Sequence, residues 1–351
     1  MNIMKTIVQF IVLCTVGLLI MVSCKESGKT SDSGVRYFRH LKFSETPYDR
    51  IQGIHPITAD EAKTINHYTF TDDESGRLVS VEFMRGNELL EYSQLGAAKI
   101  AIRNEDHKEI YSYYNAKNEQ IGNWNGYYYA IYEVNEDGMR TKLTFADSAM
   151  NPVENRNHIA WYDWKILPDG LVQEKRYTME GEETVLNPFC PFYELRFSYD
   201  DEGKVTKMAN FQGDTMYNCT VENCGDIGVS YFTFDYNDAG DLTKFGVYSL
   251  TGQMSNLYWG WARYENTYDD FGNTLERAMY DQDNEPFGGM NVPVTQSAYD
   301  EHGSLVEQTS MDIDRQIIND PRTGVAVTRY TYDEMGHPAD TLRLDANMEA
   351  I

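Results

Sequence analysis

The chain has 351 residues, with 55 acidic against 30 basic side chains, a formal net charge of −25, and 26 tyrosines within a 13% aromatic fraction. No basic patch for a phosphate backbone is visible, which argues against nucleic-acid binding, and anionic lipid head groups repel such a body. The length suffices for two ordinary domains or for one repeat array.

The N-terminal segment reads as an address. Lys5 supplies a short positive region, an apolar run follows from Ile7 to Met21, and Ser23 precedes Cys24. The run is short for a membrane span and has signal-peptide flanks. It resembles a bacterial lipoprotein signal, which implies removal of residues 1–23, lipidation of Cys24, and an outer-membrane anchor on the periplasmic or surface face. Residues 24–34 are polar and rich in Ser, Gly and charge, the composition of a flexible tether. Residues 35–65 read as an N-terminal cap. There Thr58-Ala59-Asp60-Glu61 fits a capping box that opens a short helix through Ala62 to Ile65, covering the first strand edge.

From residue 66 to 351 one turn recurs, at Gly76, His107, Gly138, Gly170, Gly203, Gly240, Gly272, Gly303 and Gly336. The intervals are 31–33 residues, with one of 37 before Gly240. A fixed period means stacked copies of one unit. The sharpest copies read Tyr-Asp-x-x-Gly, as in Tyr299-Asp300-Glu301-His302-Gly303. Gly supplies the positive φ that such a turn needs, and Asp or Asn bonds its own backbone there. The flanks alternate at period two: Tyr231 to Tyr236 before Gly240 and Leu242 to Tyr248 after it read as a hairpin. A lone hairpin is marginal in water, so neighbouring units bury its aromatic face. The expected fold is all-β: about nine antiparallel β-hairpins in an extended twisted or curled sheet, preceded by the short capping helix.

Tyr268-Asp269-Asp270-Phe271-Gly272-Asn273, preceded by Trp261-Ala262-Arg263-Tyr264, resembles the YD-repeat (RHS-like) proteins of bacterial surfaces. The resemblance spans roughly residues 66–345. It implies a strand-rich surface protein and transfers no catalytic residue.

Cys190 and Cys224 occupy near-equivalent positions in adjacent units, while Cys219 and Cys224 share the long interval. The thiols therefore form a Cys190–Cys224 staple, close a Cys219–Cys224 loop, or stay free. Trp124, Trp161, Trp259 and Trp261 fall in the connecting region of their units, where stacking either lines them up as a platform for a glycan or protein partner or uses them to seal the core. Asp281-Gln282-Asp283-Asn284-Glu285 and Asp312-Ile313-Asp314 offer oxygens to Ca²⁺, but the loop Gly and terminal Glu of a calcium loop are missing. Asp147-Ser148-Ala149, Asp214-Thr215-Met216 and Asp340-Thr341-Leu342 resemble O-glycosylation acceptors of Bacteroides-type bacteria. No His-Glu-x-x-His, Gly-x-Ser-x-Gly or Gly-rich phosphate loop occurs. The expected function is non-catalytic: an envelope lipoprotein whose array binds a protein or glycan and needs no cofactor. The alternatives are an envelope assembly component and a carboxylate-based polysaccharide-processing enzyme.

Overall fold

The computed structural model describes residues 34–351 except 92, 186–191, 220–227, 258 and 288–291. The predicted signal, Cys24 and the rest of the tether up to residue 33 lie outside the described residues, as do Cys190 and Cys224. The described chain is one antiparallel sheet of 25 strands. It opens with β1 (Val35–Leu41) and β2 (Gly53–Ile57). Hairpins follow: β3 with β4 (His67–Asp72, Leu78–Arg85), β6 with β7 (Lys99–Glu105, Lys108–Tyr114), and β9 with β10 (Tyr129–Val134, Arg140–Ala146). Next come β12 with β13 (Trp161–Ile166, Val172–Tyr177), β15 with β16 (Glu194–Tyr199, Val205–Gln212), and β18 with β19 (Tyr231–Tyr236, Leu242–Tyr248). The last three are β20 with β21 (Arg263–Tyr268, Thr274–Tyr280), β22 with β23 (Val294–Tyr299, Leu305–Met311), and β24 with β25 (Val327–Tyr332, Pro338–Leu344). Two-residue strands such as β5 (Glu88–Leu89) fold back on the end of the preceding long strand.

The turn chemistry explains these hairpins. In each sharp copy the side-chain oxygen of the first turn residue accepts two main-chain N–H groups, as Asp269 Oδ1 does from Phe271 (2.9 Å) and Asn273 (2.8 Å). Asp73, Asp200, Asp300 and Asp333 repeat the pattern, and Asn135 and Asn237 do it with an amide oxygen. The glycine that follows adopts positive φ, +84° at Gly272 and +78° at Gly138, and His107 takes +57° in the one copy without glycine. The repeat tyrosine tightens the stack: the hydroxyls of Tyr236, Tyr268, Tyr299 and Tyr332 each donate to a carbonyl of the preceding hairpin, at Val205, Leu242, Thr274 and Leu305. These hydroxyls are thereby committed to the fold.

The sheet curls, and the segment before β3 lies where its turns converge. Arg50 bonds the Gly138 carbonyl (2.9 Å), Lys42 the Gly203 carbonyl (2.7 Å), and His55 pairs with Asp241 (2.8 Å). Asn66 donates to the His302 carbonyl (2.8 Å), and Arg85 at the end of β4 donates to Ser304 Oγ (2.7 Å). The first hairpin thus meets the later ones. Gly138 faces open space, whereas a Cβ at Gly272 would lie 2.4 Å from the His55 ring. Alanine at Gly138 is therefore expected to lower stability by about 1–2 kcal/mol from the left-handed backbone alone. Gly272→Ala should lose at least about 1 kcal/mol more, since His55 must also move. Equal losses in urea unfolding would contradict this packing.

The expected capping helix is corrected to a single 3₁₀ turn, Glu61–Lys63. The capping box does form, with Glu61 Oε2 accepting from Thr58 N (2.7 Å) and Oγ1 (2.8 Å). The helix goes no further because Ala62 O accepts from Gly86 and Asn66 N–H is taken by His302, which draws the chain into β3. The edge of β3 is covered by β1 instead.

A candidate ligand-binding cavity

Along the inner face, one set of equivalent positions changes character partway through the array. Five residues after the turn glycine stand Val81, Leu143, Met208 and Phe245, then Arg277, Gln308 and Thr341; the Gly170 unit departs from the series with Lys175 there, and the buried Glu174 stands opposite Trp164. Six residues before it stand Phe70, Tyr132, Trp164, Phe197 and Phe234, then Asn266, Ser297 and Tyr330. From Tyr132 on, the apolar set builds the main core, which runs from Ala97 to Leu257 and includes Trp164, Phe197, Met208 and Phe234, while Phe70 and Val81 form a smaller cluster with Phe38 and Tyr68. Past Phe245 the same face is polar and no such core can form on it.

That polar face opens onto a cavity of about 1030 Å³. Its walls are the inner side of β20–β25, the segment from Arg39 to Ile51, and the first hairpin with Tyr68, Phe83, Gln94 and Leu95. Arg277 reaches into it from β21, its Nε donating to Asn266 Oδ1 (2.9 Å) and its guanidinium lying 4.6 Å from the Tyr264 ring centre. Among the described residues Arg277 makes no ion pair. Arg39 lies 4.4 Å over the Phe271 ring, and burial lowers its pKa. Burial pushes the Tyr264 hydroxyl up to about 12 and the His40 imidazole down to about 4, so His40 is neutral at pH 7. Aromatic faces, amides and a guanidinium free of carboxylates suit a ligand carrying hydroxyl or acidic groups. A second cleft, of about 1100 Å³ by the turns of Gly76, His107 and Gly138, is lined by Lys108 and by three arginines already paired, Arg36 with Asp72, Arg50 with Glu109 and Arg77 with Asp73.

Behind the cavity the segment 44–49 is anchored by a polar cluster. Thr46 Oγ1 donates to Glu174 Oε2, which also accepts from Trp164 Nε1 (2.8 Å), and Tyr199 donates to Asp49 (2.8 Å). Burial, with Glu174 and Asp49 alongside, pushes the Glu45 carboxyl up to about 8. Arg140 closes the cluster, its side chain only 1% exposed. It donates to Glu109 (2.7 Å), to the Tyr111 hydroxyl (2.6 Å) and to the carbonyls of Pro47 (3.0 Å) and Asp49 (2.8 Å). Arg140 was not among the residues singled out from sequence, although it stands two after a turn glycine, where other units carry Leu78, Val172, Val205, Leu242 or Leu305.

The four tryptophans proposed as a platform are not brought together. Trp124 is exposed over Gly96, and Trp161 stacks on Tyr177 at 5.1 Å with Lys142 beside it. Trp259 and Trp261 stack on each other at 4.7 Å and pack, partly buried, against the main core. Cys219 is buried and disulfide-bonded, its partner lying outside the described residues, which sets aside the alternative of three free thiols. In the acidic turns Asp281 Oδ1 accepts from its own Asp283 and Glu285 amides. Among the described residues no three His, Cys, Asp or Glu side chains are grouped to hold a metal, and no helix is long and apolar enough to cross a membrane.

No family model and no curated protein matches this chain. Among solved structures it is similar to a TcdB2-TccC3 crystal structure, at 13% identity and TM-score 0.31 over 81% of this chain and 14% of that one. A porin-like protein from Bacteroides uniformis aligns at 12% identity and TM-score 0.22, over 88% of this chain and 94% of that one. At these scores neither assigns the chain a family, a ligand or an activity.

Proposed function

We propose that the chain is a YD-type array of nine copies of one hairpin unit, held at a bacterial outer membrane by lipid on Cys24, and that it binds a glycan without transforming it. The observation that supports this most is the change of the inner face from apolar to polar at Tyr264, around a cavity of about 1030 Å³. Tyr264 and Tyr330 offer ring faces to the C–H side of sugars, while Asn266, Thr341 and Arg277 offer donors and acceptors to hydroxyl or carboxylate groups. A concave site of this size holds a few sugar rings.

The test is a glycan-array screen followed by titration of the best ligand against Arg277→Ala. Loss of a charged hydrogen-bonding partner should weaken binding roughly ten- to a hundredfold. Arg277 is exposed, so folding should survive, as circular dichroism would register. Unchanged affinity in both Arg277→Ala and Tyr330→Ala would remove the cavity as the site. A second reading, polysaccharide cleavage, has one observation in its favour: Glu45, held largely protonated, sits near Asp49, which lines the cavity. Release of reducing ends that Asp49→Asn abolishes would establish it over simple binding.

A further inference from the structure

We propose that the outer edge of β25 is a docking site for one added β-strand from a partner polypeptide, and that it selects a strand with a basic residue opposite Asp340. Each hairpin receives the next in the same way. The incoming strand pairs with the residues four, five and six after the turn glycine, as Glu307, Gln308 and Thr309 pair with Arg329, Thr328 and Val327. The amide seven after that glycine also points to the newcomer: Val247 donates to Ala262, Met279 to Pro293 and Ser310 to Ala326.

Most of these junctions are keyed by complementary polar side chains. Glu82 meets Lys99 (2.7 Å), Glu276 meets Gln296 (3.2 Å) and Glu307 meets Arg329 (2.7 Å), while Lys142 stands opposite Asp163 and Lys244 opposite Glu265. In β25 the equivalent residues are Asp340, Thr341, Leu342 and, at the seventh place, Arg343. All four are exposed, and among the described residues β25 pairs along its length only with β24. Residues 345–351 fold back on its far end, through a Leu344–Ala350 bridge and an Ile351 N–H to Arg343 O bond (3.1 Å), as the short strands do elsewhere. They leave the docking positions uncovered.

Asp340 stands where Glu276 and Glu307 stand, but among the described residues no cation pairs with it; its Oδ1 accepts the neighbouring Thr341 N–H (2.8 Å). A charge on an open edge discourages indiscriminate pairing, and a second β25 pairing antiparallel would bring a second Asp340 close. A strand carrying Lys or Arg opposite Asp340 removes that obstacle. The other end of the sheet offers no such site, since β2 carries Pro56 and His55 is held by Asp241.

The probe is a synthetic peptide with the sequence of residues 322–333, which spans the natural partner strand of Glu307, and a second peptide carrying Arg329→Glu. Each is titrated against the full-length protein by fluorescence anisotropy, with hydrogen exchange followed at Thr341 and Arg343. The arginine peptide should bind, slow exchange at both amides, and outbind the glutamate peptide about fivefold. In Asp340→Lys protein that preference should reverse, and in Asp340→Asn it should vanish. Absence of protection at Thr341 and Arg343, or the same preference in wild type and Asp340→Lys, overturns the proposal.

Discussion

Arg140→Met is expected to lower the unfolding free energy by about 3–5 kcal/mol, because three buried acceptors lose their donor at about 1–3 kcal/mol each. Methionine fills much of the space but leaves the Pro47 and Asp49 carbonyls and the Tyr111 hydroxyl without the guanidinium that now serves all three. Glu109 keeps Arg50, so its carboxylate is not stranded. The damage therefore falls on the segment from Lys42 to Gln52. Urea unfolding measures the loss, and hydrogen exchange should show residues 42–52 opening before the sheet. A loss below about 1 kcal/mol, the scale of an ordinary surface change, would mean that the segment is held by other contacts.

Raising the pH from 5 to 9 is expected to destabilise the protein through Glu45. Its carboxyl titrates near 8 in the fold and near the ordinary glutamate value when unfolded, because burial and the nearby Glu174 and Asp49 disfavour its charge. A raised carboxyl binds its proton more tightly in the native state, so stability falls as pH rises through this window and levels off above about 8. The loss is on the order of a few kcal/mol. Glu45→Gln should flatten the melting temperature over that window and raise it at pH 9. At the acid end the slope reverses: Asp73, held at about 2 chiefly by the Ser75 hydroxyl and the Arg77 amide, stops contributing as pH falls towards that value. Identical pH profiles for wild type and Glu45→Gln would refute the role given to Glu45.

Local elements were the legible part of the sequence. Tyr231 to Tyr236 and Leu242 to Tyr248 are strands to the residue, because alternation and the Asn237–Gly240 turn agree on one hairpin. The turn positions were legible for the same reason, down to His107 in a glycine's place. The cap was misread because its capping box is genuine: a local signal names the turn, but the contact of Ala62 with Gly86 and of Asn66 with His302 ends it. No local pattern reveals a partner 236 positions away. The change from Phe245 to Arg277 at one inner position was present in the sequence, and aligning the units would have exposed it. The roles of the tryptophans are decided by their neighbours: Trp259 and Trp261 lean on Phe245's cluster, whereas Trp124 stands in solvent. The partners of Arg140 and the neighbours of Glu45 could not be read from spacing, because the fold brings residues 44–49 onto strands about a hundred residues later.

The cavity is tested most directly by hydrogen–deuterium exchange of the full chain with and without the best glycan from the screen. Slowed exchange confined to β20–β25 and to the segment from Arg39 to Ile51 is the expected footprint. Protection around Trp124 and Trp161, with β20–β25 unchanged, would place the ligand on the outer surface and contradict the assignment of the polar inner face.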